Sequence, residues 1–196
     1  MTTFLTFTLF GVAVAAVYAI AASGLVLTYT TSGIFNFAHG AIGMLMAFTY
    51  WQLRVQDHLP APIALFLVLG VIAPAVGAVI ERVLMRNLGG SSTGTTLVVT
   101  CGLLILLIGV AYVIWVPTKS RTLPEFFAGH YVVMLHVRIS WHKIITFLLA
   151  GVVALLLRVV LYKTRMGIAM RAVVDDRELT ALNGARPARV SQLSWA

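Results

Sequence analysis

The sequence predicts an all-α protein: a polytopic transmembrane helical bundle of about five spans, with a broken or re-entrant second segment. Three observations predict this fold. Hydrophobic residues make up 60% of the 196 positions and charged residues only 10%, far from the composition of a soluble domain. Apolar stretches long enough for a helix to cross a lipid bilayer recur along the chain. The positive charge, net +8, is confined to short segments between these stretches and to the C-terminal part, which argues against nucleic acid as a partner.

The first two apolar segments differ in length. Phe4 to Tyr29 contains no charged residue and is long enough for a tilted span. After a polar interruption, Ala38 to Leu53 gives a shorter segment that ends at Arg54. The two prolines of "HLPAP" then predict a turn. The second segment is therefore expected to be short or broken.

Three further spans follow. Residues 58 to 80 form the third, and Pro74 is expected to kink it. Thr93 to Val116 forms the fourth, followed by a loop that runs to about Ser140. Trp141 and Tyr162 bracket the fifth at a separation suited to the two aromatic belts of a membrane.

The distribution of basic residues predicts the orientation in the membrane. Nine of the 14 Lys and Arg residues fall on the side of the C-terminal segment: Arg82, Arg86, Arg158, Lys163, Arg165, Arg171, Arg177, Arg186 and Arg189. The other five are Arg54, Lys119, Arg121, Arg138 and Lys143. The positive-inside rule places the nine in the cytoplasm. With five crossings the N-terminus lies outside, whereas a re-entrant second segment reverses that end alone.

The interruption "TTSGIFNFAHG", from Thr30 to Gly40, is the first candidate site. Its glycines permit a non-helical backbone, and its hydroxyl, amide and imidazole groups need hydrogen-bond partners that lipid does not offer. Such backbone is tolerated at membrane depth where it is buried in protein or lines a watery cavity. A half-helix beginning near Ala38 then presents free N–H groups to an anion such as a carboxylate. An ordinary polar loop at the membrane surface is an equally good interpretation of the composition.

The C-terminal segment, residues 163–190, has a different character. Apolar and charged residues separate onto two faces, and Arg171 and Asp175 are spaced for an ion pair along a helix. This pattern predicts a short amphipathic helix or helix pair, with Gly184 as its end. A membrane-surface anchor and a solvated tail are together more common than a docking element for a cytoplasmic partner.

The remaining polar groups indicate no chemistry. "GGSSTG" lacks the Lys-Ser/Thr ending of a phosphate-binding loop, and His130, His136 and His142 are poorly spaced for metal ligands. Neither a catalytic cluster nor a metal or cofactor site is expected. Glu81 and Arg82 are able to pair at a helix end, although simple interfacial charges are the commoner case.

Three stretches carry a resemblance to a known family: "GLVLTYTTSGIFNFAHGAIGMLMAF", "ERVLMRNLGGSSTGTTLVVTCGLLILL" and "TRMGIAMRAVVDDRELTALNGARPARVSQLSWA". They resemble the permease subunits of branched-chain amino acid ABC importers. The resemblance covers most of the chain and implies a single transmembrane permease domain over residues 1–196 of a multi-pass protein of the cytoplasmic membrane. It implies no enzymatic activity in this chain, because ATP is hydrolysed on separate ATPase subunits. The implied partners are those ATPases, a second permease subunit that makes a homo- or heterodimer, an extracytoplasmic solute-binding protein, and the amino-acid substrate.

The resemblance also implies two sets of site residues. The break near the translocation path comprises Asn36, Phe37, Ala38, His39 and Gly40. The ATPase-docking helix, within residues 163–190, comprises Gly167, Met170, Arg171, Ala172, Asp176, Ala181 and Gly184. The family continues into further spans, whereas this chain stops at "SQLSWA", so a fragment of a longer permease is expected.

Other functions remain open from the sequence. A permease of the same type for urea or short amides is one, because the "NFAHG" region does not encode a side-chain preference legibly. An ion-coupled secondary transporter also uses broken helices but usually buries a carboxylate for coupling. None of the six acidic residues lies clearly inside a span: Asp57, Glu81, Glu125, Asp175, Asp176 and Glu178. A membrane enzyme lacks a recognisable catalytic cluster.

Overall fold

A computed structural model describes residues 2–88, 90–118, 120–124, 126–127, 129–134, 137–175 and the single positions 180, 182, 190, 192, 193 and 195. This part of the chain is helical except for its loops and one hairpin. The α-helices are α1 (Thr2–Ser32), α2 (His39–Trp51), α3 (Ala61–Leu67), α4 (Ala73–Val83), α5 (Thr93–Ile114), α6 (Trp141–Lys163) and α7 (Arg165–Asp175).

Four helical segments in the described residues are long and apolar enough to cross a membrane. They are Thr6–Ser32, Ala61–Val83, Thr93–Ile114 and Trp141–Lys163. Between the first two lies α2, which is shorter and runs into a π-helical turn at Gln52–Gln56. The all-α membrane bundle with a short second segment is thereby confirmed.

The third span is continuous but irregular. A π-helical turn at Val68–Ile72 separates α3 from α4 and widens the helix just before Pro74. Pro74 has no N–H, and its ring clashes with the carbonyl oxygen four residues earlier in a regular α-helix. The wider turn accommodates the proline without ending the span. It lies at the place where the sequence predicts a kink.

The prediction of a loop up to about Ser140 is wrong for the second half of this segment, which forms a β-hairpin. Two short strands, β1 (Tyr131–Met134) and β2 (Val137–Ser140), pair antiparallel, with Val132 opposite Ile139. β-Branched residues favour such a ladder. The segment between the strands lacks the Asn-Gly or Asp-Gly signal that identifies a hairpin in a sequence. The two strands are therefore not evident from the local sequence.

The helices pack as two groups. In the first group, α1 lies against α6, α7 and β2. In the second group, α2 packs against α5, and the main cluster of buried side chains joins α2, α4 and α5. The segment between Ser32 and His39 connects the two groups. It contributes Ile34 and Ala38 to the buried cluster of the second group.

Candidate functional site

The hydroxyl groups before the break bond to the helix that carries them. Oγ1 of Thr30 donates to the carbonyl oxygen of Val26 at 2.8 Å, and Oγ1 of Thr31 donates to that of Leu27 at 2.6 Å. The Ser32 hydroxyl donates in the same way to the carbonyl oxygen of Thr28. The polar run at the end of α1 is therefore compatible with apolar surroundings, because its groups are already hydrogen-bonded.

Gly33 and Asn36 shape the backbone between the two helices. Gly33 has φ +71° and its N–H donates to the carbonyl oxygen of Tyr29 at 2.9 Å, which ends α1. Asn36 is 2% exposed. Its Oδ1 accepts from the N–H of Ala38 at 3.0 Å, and its carbonyl oxygen accepts from the N–H of His39 at 3.2 Å. Asn36 thus organises the start of α2 and engages two of the N–H groups that were expected to be free for an anion.

Side chains of the break alternate between two environments. Ile34, Asn36 and Ala38 are buried among the helices, whereas Phe35 and Phe37 are each 43% exposed. The centroids of these two aromatic rings are 4.8 Å apart. Of the remaining predicted path residues, His39 is half-buried and Gly40 is exposed. The five residues are therefore contiguous, but only Asn36 and Ala38 face fully into the protein.

The imidazole of His39 lies against α1 at Gly24. A Cβ atom built on Gly24 falls 2.9 Å from Cε1 and 3.2 Å from Nε2 of His39. Only a glycine leaves room for the ring at this distance. Sequence reasoning missed Gly24, because its importance depends on a helix-to-helix contact that no local pattern encodes.

A small polar cavity adjoins the break. It has a volume of about 220 Å³, and Ser32, Gly33 and Phe35 form one wall. Ser91 and Thr96 belong to the opposite wall, which is the Gly/Ser/Thr-rich loop and the first turn of α5. This loop, which matches no nucleotide-binding motif, therefore contributes polar groups beside the candidate path.

Glu81 forms an ion pair, whereas simple interfacial charges were the commoner expectation for Glu81 and Arg82. The sequence also allowed a pair with Arg82, but Arg82 is exposed and Glu81 is bonded to Arg86. Nη2 of Arg86 donates to Oε2 at 2.9 Å, and Nε donates to Oε1 at 3.4 Å. The Glu81 side chain is 0% exposed. A short 3-10 helix at Met85–Leu88 turns the chain back so that residue 86, rather than residue 82, reaches the carboxylate.

Helix α7 is joined tightly to the end of α6. Oγ1 of Thr164 accepts from the N–H of Gly167 at 3.1 Å and so caps α7. A Cβ atom on Gly167 overlaps the backbone of Val160 and Leu161. The guanidinium carbon of Arg171 lies 4.6 Å from the ring centroid of Tyr162. These contacts fix the direction in which α7 leaves α6.

The predicted docking residues fall into two sets. Gly167 and Met170 are buried within the chain, while Arg171 and Ala172 are half-buried. The other three lie outside the described residues: Asp176, Ala181 and Gly184. Within α7, the two buried residues thus hold the helix in place.

The far end of α7 reaches the break. A Cβ atom on Gly33 falls 3.9 Å from Cγ1 of Val174, which is ordinary van der Waals contact. Gly33 is the residue at which α1 stops and the irregular backbone begins. The end of α7 at Val174 therefore lies close to Gly33, at the start of the break, although the two are separated in the sequence by most of the chain.

Comparisons with known proteins agree on one family. The family described as "Branched-chain amino acid transport system / permease component" matches residues 7–196. The high-affinity branched-chain amino acid transport system permease protein BraD of Pseudomonas aeruginosa is 29% identical, over 94% of this chain and 64% of that protein. The permease protein LivH of Escherichia coli K12 is 27% identical, over 94% of this chain and 63% of that protein. A probable LivH of Methanocaldococcus jannaschii is 28% identical, over 89% of this chain and 56% of that protein.

The chain spans less than two thirds of the length of these relatives. No solved structure matches it significantly. The family model nevertheless covers all but the first six residues of the chain, and the helices it covers are of membrane-spanning length. The chain belongs to the family of branched-chain amino acid transport system permease components.

Proposed function

We propose that this chain is a transmembrane permease subunit of an ATP-binding cassette importer that moves branched-chain amino acids across the cytoplasmic membrane. The match of the family model to residues 7–196 carries the proposal. The names of the relatives support the substrate class, since they are branched-chain amino acid permeases. The chain itself is not an enzyme, and ATP is hydrolysed on a separate subunit.

The proximity of Val174 in α7 to Gly33 at the start of the break supports a route for mechanical coupling. ATP binding closes the ATPase pair, and the motion enters this chain through α7, whose position is fixed by Gly167 and Thr164. Val174 passes the displacement to Gly33, where the helix groups of α1 and α2 join. Packed groups of this kind switch between discrete arrangements rather than deforming smoothly. This switch opens the path beside the break alternately to the outside and to the inside of the membrane.

The surroundings of Asn36 suit an aliphatic zwitterion. Ile34, Ala38 and Ala41 provide buried apolar surface for the side chain of the solute. The Asn36 carboxamide oxygen is engaged by Ala38, so its NH₂ group is the donor that meets a substrate carboxylate. His39, half-buried against Gly24, is a second polar side chain in the same segment.

The buried carboxylate does not favour ion coupling. Glu81 is fully buried near the end of α4, further inside the protein than its sequence context indicated. Both of its oxygens accept hydrogen bonds from Arg86. A coupling carboxylate must exchange its proton or ion during each cycle, whereas this one is neutralised by a neighbouring arginine. ATP is therefore the energy source that we favour.

The orientation and partners follow from the same proposal. The basic residues near the ends of α4 and α6 and in α7 lie in the cytoplasm under the positive-inside rule, where the ATPase docks. A solute-binding protein delivers the amino acid at the opposite face. A second permease subunit, identical or homologous, completes the pathway.

Uptake of labelled leucine tests the proposal. The full-length protein, its ATPase and its binding protein are co-expressed in cells that lack their own leucine importers. Uptake is expected to disappear when the ATPase carries a substitution in its phosphate-binding lysine, and to survive brief dissipation of the ion gradients while ATP is maintained. Uptake that persists without a competent ATPase, or that stops with the gradients alone, contradicts the proposal.

A further inference from the structure

In the described part of the chain, an open apolar groove runs between α1 and α6. It consists of two adjoining cavities with volumes of about 320 Å³ and about 600 Å³. Val12 of α1 and Phe147 of α6 line both cavities, so the two are continuous. The floor of the larger cavity consists mainly of small side chains, among them Ala15, Ala19 and Gly151. None of the side chains of α6, which is described throughout, is buried.

Lys143 lies at one end of this groove and is the charged residue of its lining. Its ammonium nitrogen is 3.1 Å from the ring centroid of Phe10 on α1. Among the described residues no carboxylate lies within ion-pair distance of it. An ammonium has three donors, and the face of one ring does not satisfy them all. A negatively charged group beside Lys143 therefore complements the groove.

The length of the groove matches one leaflet of a bilayer. From Lys143 to Leu155 the lining follows α6 for twelve residues, or roughly 18 Å at about 1.5 Å per residue. Half of a hydrocarbon core of about 30 Å is roughly 15 Å. Trp141, exposed at the start of α6, is an aromatic residue of the kind found where hydrocarbon meets headgroups. Lys143, two residues further on, is thus at headgroup depth.

The β-hairpin covers the headgroup end of the groove. Val132 and Ile139, which are paired across the two strands, line the smaller cavity with Lys143. Their neighbours Tyr131 and Val133 are exposed on the other face of the hairpin. The hairpin therefore forms a third wall, beside α1 and α6, at the place where the charge is.

The geometry points to a binding site for an anionic phospholipid, with one acyl chain in the α1–α6 groove and the phosphate group on Lys143. The apolar walls, the length of a leaflet and the ammonium at one end, which has no carboxylate partner among the described residues, each match a different part of such a molecule. A lipid in this position braces α1, the helix whose other end meets the break and α7. The site is independent of the transported solute.

Native mass spectrometry of the purified full-length protein tests the site, with phosphatidylglycerol and phosphatidylcholine of equal chain length as probes. The wild type is expected to retain phosphatidylglycerol in preference to phosphatidylcholine. Lys143→Ala should weaken phosphatidylglycerol binding by about fivefold, the usual effect of one cation at a membrane surface, and Lys143→Arg should restore it. Lys163→Ala, at the other end of α6 and exposed, is the matched control and should leave the preference unchanged.

A second variant tests the acyl-chain groove without touching the charge. Gly151 lines the groove and a Cβ atom built on it meets nothing within 4 Å, so Gly151→Leu is the variant chosen to fill the groove. This variant should lower the retention of both lipids, whereas Gly109→Leu, at an equally open position on α5, should not. Equal retention of the two lipids by the wild type, or binding that neither Lys143→Ala nor Gly151→Leu changes, overturns the inference. Absence of any retained lipid also overturns it and assigns the groove to a protein helix.

Discussion

His39 and Gly24 are in direct contact across the joint between α2 and α1. The would-be Cβ position of Gly24 lies only 2.9 Å from the imidazole ring. Because α1 belongs to one helix group and α2 to the other, any relative movement of the two groups must change this contact. His39 is also linked to the buried Asn36 through its backbone N–H, which donates to the Asn36 carbonyl oxygen.

Replacement of Gly24 by Ala should therefore impair transport more than folding. The ring is able to rotate away from the new methyl group, and alanine favours the helix by up to about 1 kcal/mol. If displacement of the His39 ring costs about 1 kcal/mol, leucine uptake should fall roughly fivefold. The melting temperature of the detergent-solubilised protein should change little.

Gly11→Ala is the matched control, because a Cβ atom at Gly11 meets nothing within 4 Å. It should preserve uptake. Equal uptake by the Gly24 and Gly11 variants would show that the close approach of His39 has no functional role.

Loss of the Glu81–Arg86 ion pair should destabilise the protein strongly. Arg86→Ala leaves the fully buried Glu81 carboxylate without its cation, and an uncompensated buried charge costs about 3 kcal/mol or more. We expect a clear decrease in the melting temperature. Arg82→Ala, which removes a neighbouring but exposed arginine, should change the stability by no more than about 0.5 kcal/mol. If both variants melt alike, the pairing assigned to Arg86 is incorrect.

Gly167→Ala should disturb the junction between α6 and α7. A methyl group there overlaps the backbone of Val160 and Leu161, and backbone is unable to move aside as a side chain does. The direction of α7 should change, so that less ATPase co-purifies with the full-length permease while its expression persists. Gly102→Ala, in α5 with open space around the new Cβ, should retain the wild-type amount of ATPase.

Replacement of Arg171 and Asp176 tests the docking assignment directly. Arg171 rests on Tyr162 and is half-buried, whereas Asp176 lies outside the described residues. Replacement of both should lower ATPase co-purification and uptake together. Unchanged values for both measurements would remove the docking assignment.

The sequence was sufficient to predict the spans because the bilayer imposes a length on each of them. α5 begins at Thr93, as expected, and the short second segment appears as α2. The break was also predictable, since Gly33 and Asn36 have backbone preferences that are visible locally. The partner of Glu81 was not predictable, because Arg86 reaches the carboxylate only through the 3-10 helix at Met85–Leu88. Gly24 and Val174 were likewise missed, because contacts between distant helices leave no trace in local spacing.

Labelling of a cysteine at position 36 tests the central claim, that buried backbone near Asn36 lies beside the solute path. In a Cys101→Ala background, Asn36→Cys and Ser91→Cys are compared with a membrane-impermeant maleimide, since Ser91 is exposed. Position 36 is expected to react much more slowly than position 91, and leucine or a trapped nucleotide state is expected to change the rate at position 36 but not at position 91. Equal rates at the two positions, unaffected by leucine and by nucleotide, would contradict the central claim.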